Sequence, residues 1–248
     1  MIKERIDKLL VEQGFAKTQI HAQALVMSGV VLVKERLVEK TSEIFPADAE
    51  IRIKGADKEL KYVGRGGLKL EKALNEFHIR TNEYICLDVG SSTGGFTDCL
   101  LQNGAAKVVA VDAGTNQLVW SLRNDLRVEV RENTNARDIR PADFAEQFDL
   151  AVMDVSFISA TKILSAIVPL LKPTGRVIVL IKPQFEVGRS EVGRGGIVKE
   201  PEKHERVVRE VNNFAVTCGL VPIRTIESPI LGAEGNKEFL ALYERIQE

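Results

Sequence analysis

Four residues hold the chemistry that is legible first: Lys69, Asp154, Lys182 and Glu238. Two lysines near two carboxylates suit removal of a proton from an alcohol. A hydroxyl is a poor nucleophile, and an amine shielded from water beside a second cation can act as the base. If the carbon to be attacked is a methyl on a sulfonium, line-up of the two reactants supplies most of the acceleration.

A place for such a methyl donor is offered by Leu87-Asp88-Val89-Gly90-Ser91-Ser92-Thr93-Gly94-Gly95-Phe96. The stretch follows the apolar run Tyr84-Ile85-Cys86-Leu87 and leads into Asp98-Cys99-Leu100-Leu101, which can begin a helix. A strand, a glycine-rich turn and a helix N-terminus together point backbone N–H groups at a ligand. The dinucleotide fingerprint Gly-x-Gly-x-x-Gly is not met, because the glycines run Gly90-x-x-x-Gly94-Gly95. Asp88 before the turn and small residues within it suit a ligand without phosphates, such as S-adenosylmethionine; tight packing of a strand–helix turn is the other use of such glycines. Lys107-Val108-Val109-Ala110-Val111-Asp112 is a second buried strand ending in an acid, and Asp112 stands where a carboxylate can grip a ribose diol. After a third strand, Arg127-Val128-Glu129-Val130, Asp138 falls at a turn from which it can contact adenine. The expected cofactor contacts are therefore Asp88, Gly90, Ser91, Ser92, Thr93, Gly94, Gly95, Phe96, Asp112, Asp138 and Asp154.

Other methyl-transfer chemistries are excluded by what stands after the fourth strand. An amino-directed adenine methylase needs Asn/Asp-Pro-Pro-aromatic, whereas this chain has Asp154-Val155-Ser156-Phe157. A carbon-5 pyrimidine methylase needs a nucleophilic cysteine at the site. Cys86 lies inside a strand, and Cys99 and Cys218 fall in predicted helices.

The elements that must position these residues alternate. Strands are predicted over 148–154 and 175–181, the latter delivering Lys182-Pro183, then a helix over 204–218 and strands near 222–227 and 238–245. Strands alternating with helices imply an α/β fold, a mostly parallel Rossmann-like sheet with helices on both faces. Ligands in such sheets bind beyond the carboxyl ends of the strands. Asp88, Asp112, Asp154 and Lys182 all fall at such ends, and that convergence outweighs any single motif.

Composition sets the frame. The 248 residues, 44% of them hydrophobic, are enough for one large domain or a small one plus a medium one. A formal net charge of −1 argues against nucleic-acid binding by bulk charge and leaves room for a local basic patch. Three scattered cysteines without paired spacing read as reduced thiols and predict no metal site. No apolar run approaches the ~20 residues that span a bilayer, and the charged amphipathic start reads as no signal peptide. A cytoplasmic protein is expected. His21, His78 and His204 are isolated and read as ordinary histidines.

The first sixty residues differ from the rest. Ile6, Leu9 and Leu10 recur at helical spacing with Gly14 as a stop, and Thr18 can cap a second helix carrying Ala22, Leu25 and Val26 before Gly29. Val30-Val31-Leu32-Val33 reads as a strand, Lys34-Glu35-Arg36 as a turn, Leu37-Val38 as its return, and Ile51-Arg52-Ile53 as a further strand. A small α+β domain over 1–60 follows. Residues 61–67 form a glycine-rich basic linker, and 68–248 the large domain. In Lys61-Tyr62-Val63-Gly64-Arg65-Gly66-Gly67-Leu68-Lys69-Leu70 the glycines predict a flexible, exposed backbone. It reads either as a plain linker before a packing helix or, preferred here, as a basic arm that follows an RNA backbone and delivers Lys69.

Two resemblances bear on function. The order Arg5-Ile6-Asp7-Lys8-Leu9-Leu10, Ala22-Gln23-Ala24-Leu25-Val26, Gly29-Val30-Val31-Leu32-Val33 resembles the small S4-like RNA-binding domain, although Thr18-Gln19 and Lys34-Glu35 depart from its usual Ser-Arg and Asn-Gly. That implies RNA contact, with Arg5, Lys8, Lys17 and Lys34 as candidates. Arg65-Gly66-Gly67-Leu68-Lys69, Asp88–Thr97, Asp154-Val155-Ser156-Phe157-Ile158-Ser159 and Lys182-Pro183-Gln184-Phe185-Glu186 resemble the TlyA-type (hemolysin A) ribosomal RNA 2′-O-methyltransferases, relatives of the FtsJ-like enzymes. The resemblance spans essentially the whole chain. It implies S-adenosylmethionine as cofactor, a cytidine 2′-OH in ribosomal RNA as target, and Lys69, Asp154, Lys182 and Glu238 as a catalytic tetrad. In that tetrad Lys182 is the base, Asp154 and Lys69 orient the lysine and the ribose, and Glu238 completes the network. A 2′-OH target also suits an enzyme that must tell RNA from DNA. The segment after Lys182, with Arg189 and Arg194 among its glycines, reads as a loop that closes over RNA or as a solvated loop. Two rival functions predict other features: a membrane-active haemolysin needs an export signal and a lipid-inserting segment, and an RNA-binding protein with a vestigial methylase half needs a broken tetrad or turn.

Overall fold

The computed structural model describes residues 3–16, 18–34, 36–54, 61–232 and 235–246. The chain divides into two units, residues 1–61 and 62–248.

In the first unit, β1 (Lys3–Arg5) leads into α1 (Ile6–Glu12), followed by α2 (Gln19–Met27), β2 (Val31–Val33), β3 (Arg36–Leu37), β4 (Ile44–Pro46) and β5 (Ile51–Ile53). Ile6, Leu9, Leu10, Ala22 and Val26 pack against Val31, Val33 and Ile51 to make its core. Thr18 caps α2 as its residue type predicts, its Oγ1 accepting from the His21 N–H at 3.2 Å. Gly14, at φ +80°, follows the end of α1. Two features differ from the sequence expectation. Arg36 belongs to the returning strand, paired with Val33, so the turn is shorter than 34–36. The pair β1–β4 was not anticipated, because three-residue strands show no alternation to detect.

The second unit contains α3 (Gly66–Glu76), β6 (Ile85–Val89), α4 (Gly95–Gln102), β7 (Lys107–Val111), α5 (Trp120–Arg123), β8 (Val128–Arg131), β9 (Phe148–Met153), α6 (Thr161–Ile167), β10 (Leu171–Ile181), α7 (Pro183–Glu186), α8 (Pro201–Thr217), β11 (Leu220–Glu227) and β12 (Phe239–Arg245). These build a seven-stranded sheet in the order β11-β12-β10-β9-β6-β7-β8. The strands from β10 to β8 are parallel, and β12 and β11 join antiparallel at one edge. Successive residues of a strand go to opposite faces, and residues two apart share one. Leu87, Val109, Ala151, Met153, Val177 and Val179 pack under α6 and α8 on one face. Cys86, Val108, Ala110, Val152 and Ile178 pack under α3 and α4 on the other. Both faces are covered, so the strands read as nearly continuous apolar runs. Burying each such side chain contributes about 1.5–3 kcal/mol.

Residues 62–67 are not the flexible linker that their glycines suggest. Tyr62 is 2% exposed, and the Val63 N–H donates to Asp98 Oδ2 at 2.8 Å. A Cβ on Gly67 would stand 2.3 Å from the Tyr62 ring. The glycine serves close packing against the aromatic ring, and Gly66 and Gly67 are the first residues of α3. Cys218, predicted within a helix, falls one residue past the end of α8, as its C-cap.

Candidate active site

Adjacent strands place the polar residues side by side. β9 and β10 run parallel with Met153 beside Val179, so Asp154 and Lys182 emerge from neighbouring carboxyl ends. β12 runs against β10 with Phe239 opposite Ile181, which brings the preceding Glu238 to the same end. β6 lies on the other side of β9, Val89 beside Met153, and its glycine turn leaves at that end too. Lys69 arrives from the first turns of α3.

Two ion pairs result. Lys69 Nζ stands 2.5 Å from Glu238 Oε2, with side-chain exposures of 10% and 3%. Lys182 Nζ stands 2.6 Å from Asp154 Oδ1 and donates a hydrogen bond to Ser156 Oγ at 2.8 Å. All five residues line one cavity of about 430 Å³, together with Gly64, Arg65, Gly90, Ser91, Ser92, Thr93, Gly95 and Phe96. Buried charges hold their places only when paired and hydrogen-bonded. The four expected catalytic side chains therefore come together as two paired sets around a common space.

The glycine turn is shaped from within. Gly90, at φ +81°, lacks the Cβ that would stand 2.4 Å from the Asp154 carbonyl oxygen. The Gly90 and Ser91 N–H groups donate to Val111 O, the Ser92 N–H to Asp112 Oδ2 at 2.8 Å, and the Gly94 N–H to Ser91 O. These four donors hold the turn and do not point at a ligand, unlike the sequence expectation. Gly94, at φ +102°, is the N-cap residue of α4 and lies outside the cavity lining.

Asp88 also differs from its expected place. It is fully buried and lies beneath the turn rather than on the cavity wall. Thr97 Oγ1 donates to its Oδ2 at 2.6 Å, tying α4 to β6, while Oδ1 is buried without a partner. Burial pushes the Asp88 carboxyl up to about 7, against the opposing hydrogen bond from Thr97. Asp112 accepts the Ser92 and Gly114 N–H groups. Asp138 is exposed and lines a separate recess with Arg131, Asn133, Thr134 and Asn135.

Among the basic candidates, Arg5 grips the buried Asp7 with Nε at 3.0 Å and Nη2 at 2.7 Å. Lys8 stands 3.5 Å from Glu4. Lys34, Arg65, Arg189 and Arg194 are exposed, and Lys17 lies outside the described residues. Residues 189–196 form two short 3-10 turns. Arg206 pairs with Glu191 at 2.7 Å, and the buried Asn236 binds Val198 N and Gly196 O. Sequence reasoning missed Ser156, Glu186 and Asn236 as site-building residues. The first two stand inside the quoted blocks, but a lone Ser or Glu carries no spacing signal.

A family model described as FtsJ-like methyltransferase matches residues 62–245. The chain belongs to the FtsJ-like methyltransferase family. A relative from Bacillus subtilis (strain 168), YqxC, which carries an rRNA methyltransferase name, is 48% identical over 239 residues, 96% of this chain and 84% of that one. The Mycobacterium tuberculosis protein named 16S/23S rRNA (cytidine-2'-O)-methyltransferase TlyA is 40% identical over 237 residues, 96% of this chain and 88% of that one. A solved structure from Streptococcus thermophilus that carries a hemolysin name is 46% identical, with a TM-score of 0.77 over 100% of this chain and 90% of that one. An S-adenosylmethionine-dependent methyltransferase of Mesorhizobium loti, 13% identical with a TM-score of 0.54, covers 73% of this chain and all of that one, and shares the fold. No described helix is long and apolar enough to cross a membrane.

S-adenosylmethionine is the cofactor of this methyltransferase family, and the residues present fit it. The Asp154 carboxylate on the cavity wall and the Asp112 carboxylate that holds the glycine turn suit a ligand carrying a sulfonium charge. Gly90, without a Cβ, lets the turn close over the Asp154 backbone. The cavity volume falls within the range of about 300–1,000 Å³ typical of small-molecule sites.

Proposed function

We propose that this methyltransferase modifies a ribose 2′-OH in ribosomal RNA, with cytidine as the nucleoside. One observation carries the reading: the pairs Lys69–Glu238 and Lys182–Asp154 converge on the cavity that the Gly90–Phe96 turn also lines. The name of the M. tuberculosis relative supplies the target class. Bound S-adenosylmethionine supplies an electrophilic methyl group on a sulfonium. Lys182 Nζ accepts the proton of the 2′-OH as the oxygen attacks, and Asp154 holds that amine in place. Lys69, fixed by Glu238, orients the ribose oxygen. The glycine turn with Asp112 holds the methyl donor, and Asp88 supports the turn from below. Asp138 serves the adenine from the neighbouring recess. Phosphates of the RNA are met by Arg65, Arg189 and Arg194, and by Arg5, Lys8, Lys17 and Lys34 on the S4-like first unit. The protein works in the cytoplasm, where ribosomal RNA is made available to it.

The test is methylation of unmodified ribosomal subunits with labelled methyl donor, followed by mapping of the modified ribose. Lys182→Ala is expected to abolish transfer while the thermal shift produced by S-adenosylmethionine remains. Retained transfer would refute the role of Lys182. A wild-type protein that labels a base instead of a ribose would refute the reaction.

A further inference from the structure

The hydrogen bond from Lys182 Nζ to Ser156 Oγ, 2.8 Å, has no part in the four-residue scheme. A neutral amine carries two N–H bonds and one lone pair around a tetrahedral nitrogen. Two oxygens stand at Lys182 Nζ, Asp154 Oδ1 at 2.6 Å as an ion-pair partner and Ser156 Oγ at 2.8 Å as a hydrogen-bond acceptor. Asp154 Oδ1 takes no hydrogen bond, so the Asp154 carboxylate draws the amine by charge. The hydrogen bond to Ser156 Oγ is the contact that fixes an Nζ N–H bond in direction and, with Cε, restricts where the lone pair can lie. We propose that Ser156 is a positioning residue for Lys182, the hydrogen-bond acceptor that, beside the Asp154 charge, aims the amine's lone pair at the substrate hydroxyl. The inference rests on the proposed function.

After proton transfer the Ser156 hydroxyl and the Asp154 charge hold the ammonium, and its new N–H faces the oxygen that has lost the proton. No dipole has to reorient during the step, which is the condition for electrostatic preorganisation.

The loop supports the assignment. A serine at the entry to a helix ordinarily bonds its own local backbone. Ser159 does so, accepting the Thr161 N–H at 3.2 Å. Ser156 instead meets a side chain 26 positions away. Between them Phe157 is held at φ +64°, a conformation that persists for a bulky residue only where its surroundings impose it. The surroundings include Glu186 on α7, whose Oε1 accepts the Ala160 N–H at 2.8 Å and whose Oε2 accepts from Ser159 Oγ at 2.5 Å. The loop after β9 and the segment after β10 are thus joined at two points, Ser156–Lys182 and Ser159–Glu186.

The experiment compares Ser156→Ala and Ser156→Thr with the wild type. Steady-state methylation of ribosomal subunits is expected to show kcat lowered about tenfold to a hundredfold in Ser156→Ala, the effect of one hydrogen bond to a charged group. KM for methyl donor and RNA should stay within about twofold, and Ser156→Thr, which keeps the hydroxyl, should recover most of the rate. An unchanged kcat in Ser156→Ala, a raised KM alone, or a Ser156→Thr as slow as the alanine variant would each overturn the proposal. Carbon-13 relaxation of the Lys182 ε-methylene supplies a readout without catalysis. Its order parameter is expected to fall in Ser156→Ala and to hold in Ser156→Thr, and an unchanged value in Ser156→Ala would also overturn it. A wild type that methylates no RNA overturns the proposed function instead, and the relaxation measurement still decides the role of Ser156.

Discussion

Replacing Asp88 with asparagine is expected to change how stability depends on pH. The carboxyl is fully buried, with one oxygen held by Thr97 and the other unpartnered. Burial raises it from 3.8 to about 7. Between those values the folded protein keeps a proton that the unfolded chain has released, so folding is favoured at the acidic end and stability falls as pH rises towards 7. The full span is worth ~4 kcal/mol, at about 1.36 kcal/mol per pH unit. Asparagine has nearly the same shape, can still accept from Thr97 Oγ1, and does not ionise. The variant should therefore differ from the wild type by a constant amount near pH 4 and gain about 4 kcal/mol relative to it by pH 8. Guanidinium unfolding of the ligand-free full chain, followed by circular dichroism from pH 4 to pH 8, measures the difference. A gap between variant and wild type that is independent of pH would refute the reasoning.

Removing one partner of the buried Lys69–Glu238 pair strands the other charge, so Glu238→Gln should cost about 3–5 kcal/mol of stability and most of the activity. The double variant Lys69→Met with Glu238→Leu should recover the stability and not the activity, and the two measurements together separate structural from catalytic roles. In the first unit Asp7 accepts from Arg5, Gln19 and Gln23, so Asp7→Asn should destabilise that unit by about 1–3 kcal/mol in urea. The Arg5 guanidinium holds the Asp7 carboxyl well below the usual carboxylate range, and this contribution is present above about pH 4 and lost as pH falls further. An acid titration of Asp7→Asn should lack that loss. Phe148 is 1% exposed and meets Phe144 edge-on at 5.2 Å, so Phe148→Ala should cost about 3–5 kcal/mol by calorimetry.

The alternation of apolar runs and helices was sufficient to predict an α/β sheet, since residues buried on both faces leave continuous hydrophobic strands. Asp154 and Lys182 were legible because a polar residue ending such a run must sit at its carboxyl end. Lys69 and Glu238 were named by residue type, and their roles in one tetrad came only through a family resemblance. They are 169 positions apart, and no local pattern announces their contact. The glycines at 64, 66 and 67 misled, because glycine serves flexibility and close approach equally and composition does not distinguish them.

The sequence by itself determined which residues end strands, which helices are capped, and that the glycine turn cannot follow the dinucleotide pattern, because periodicity and residue type act over neighbours in the chain. Tertiary structure decided the strand order β11-β12-β10-β9-β6-β7-β8 and, through it, the distances that matter. Only when β10 lies between β9 and β12 do Asp154, Lys182 and Glu238 share one end of the sheet. It also decided that Asp88 lies beneath the turn rather than at the cavity wall, since a side chain's depth depends on what covers it, and Thr97 and the first turn of α4 cover this one.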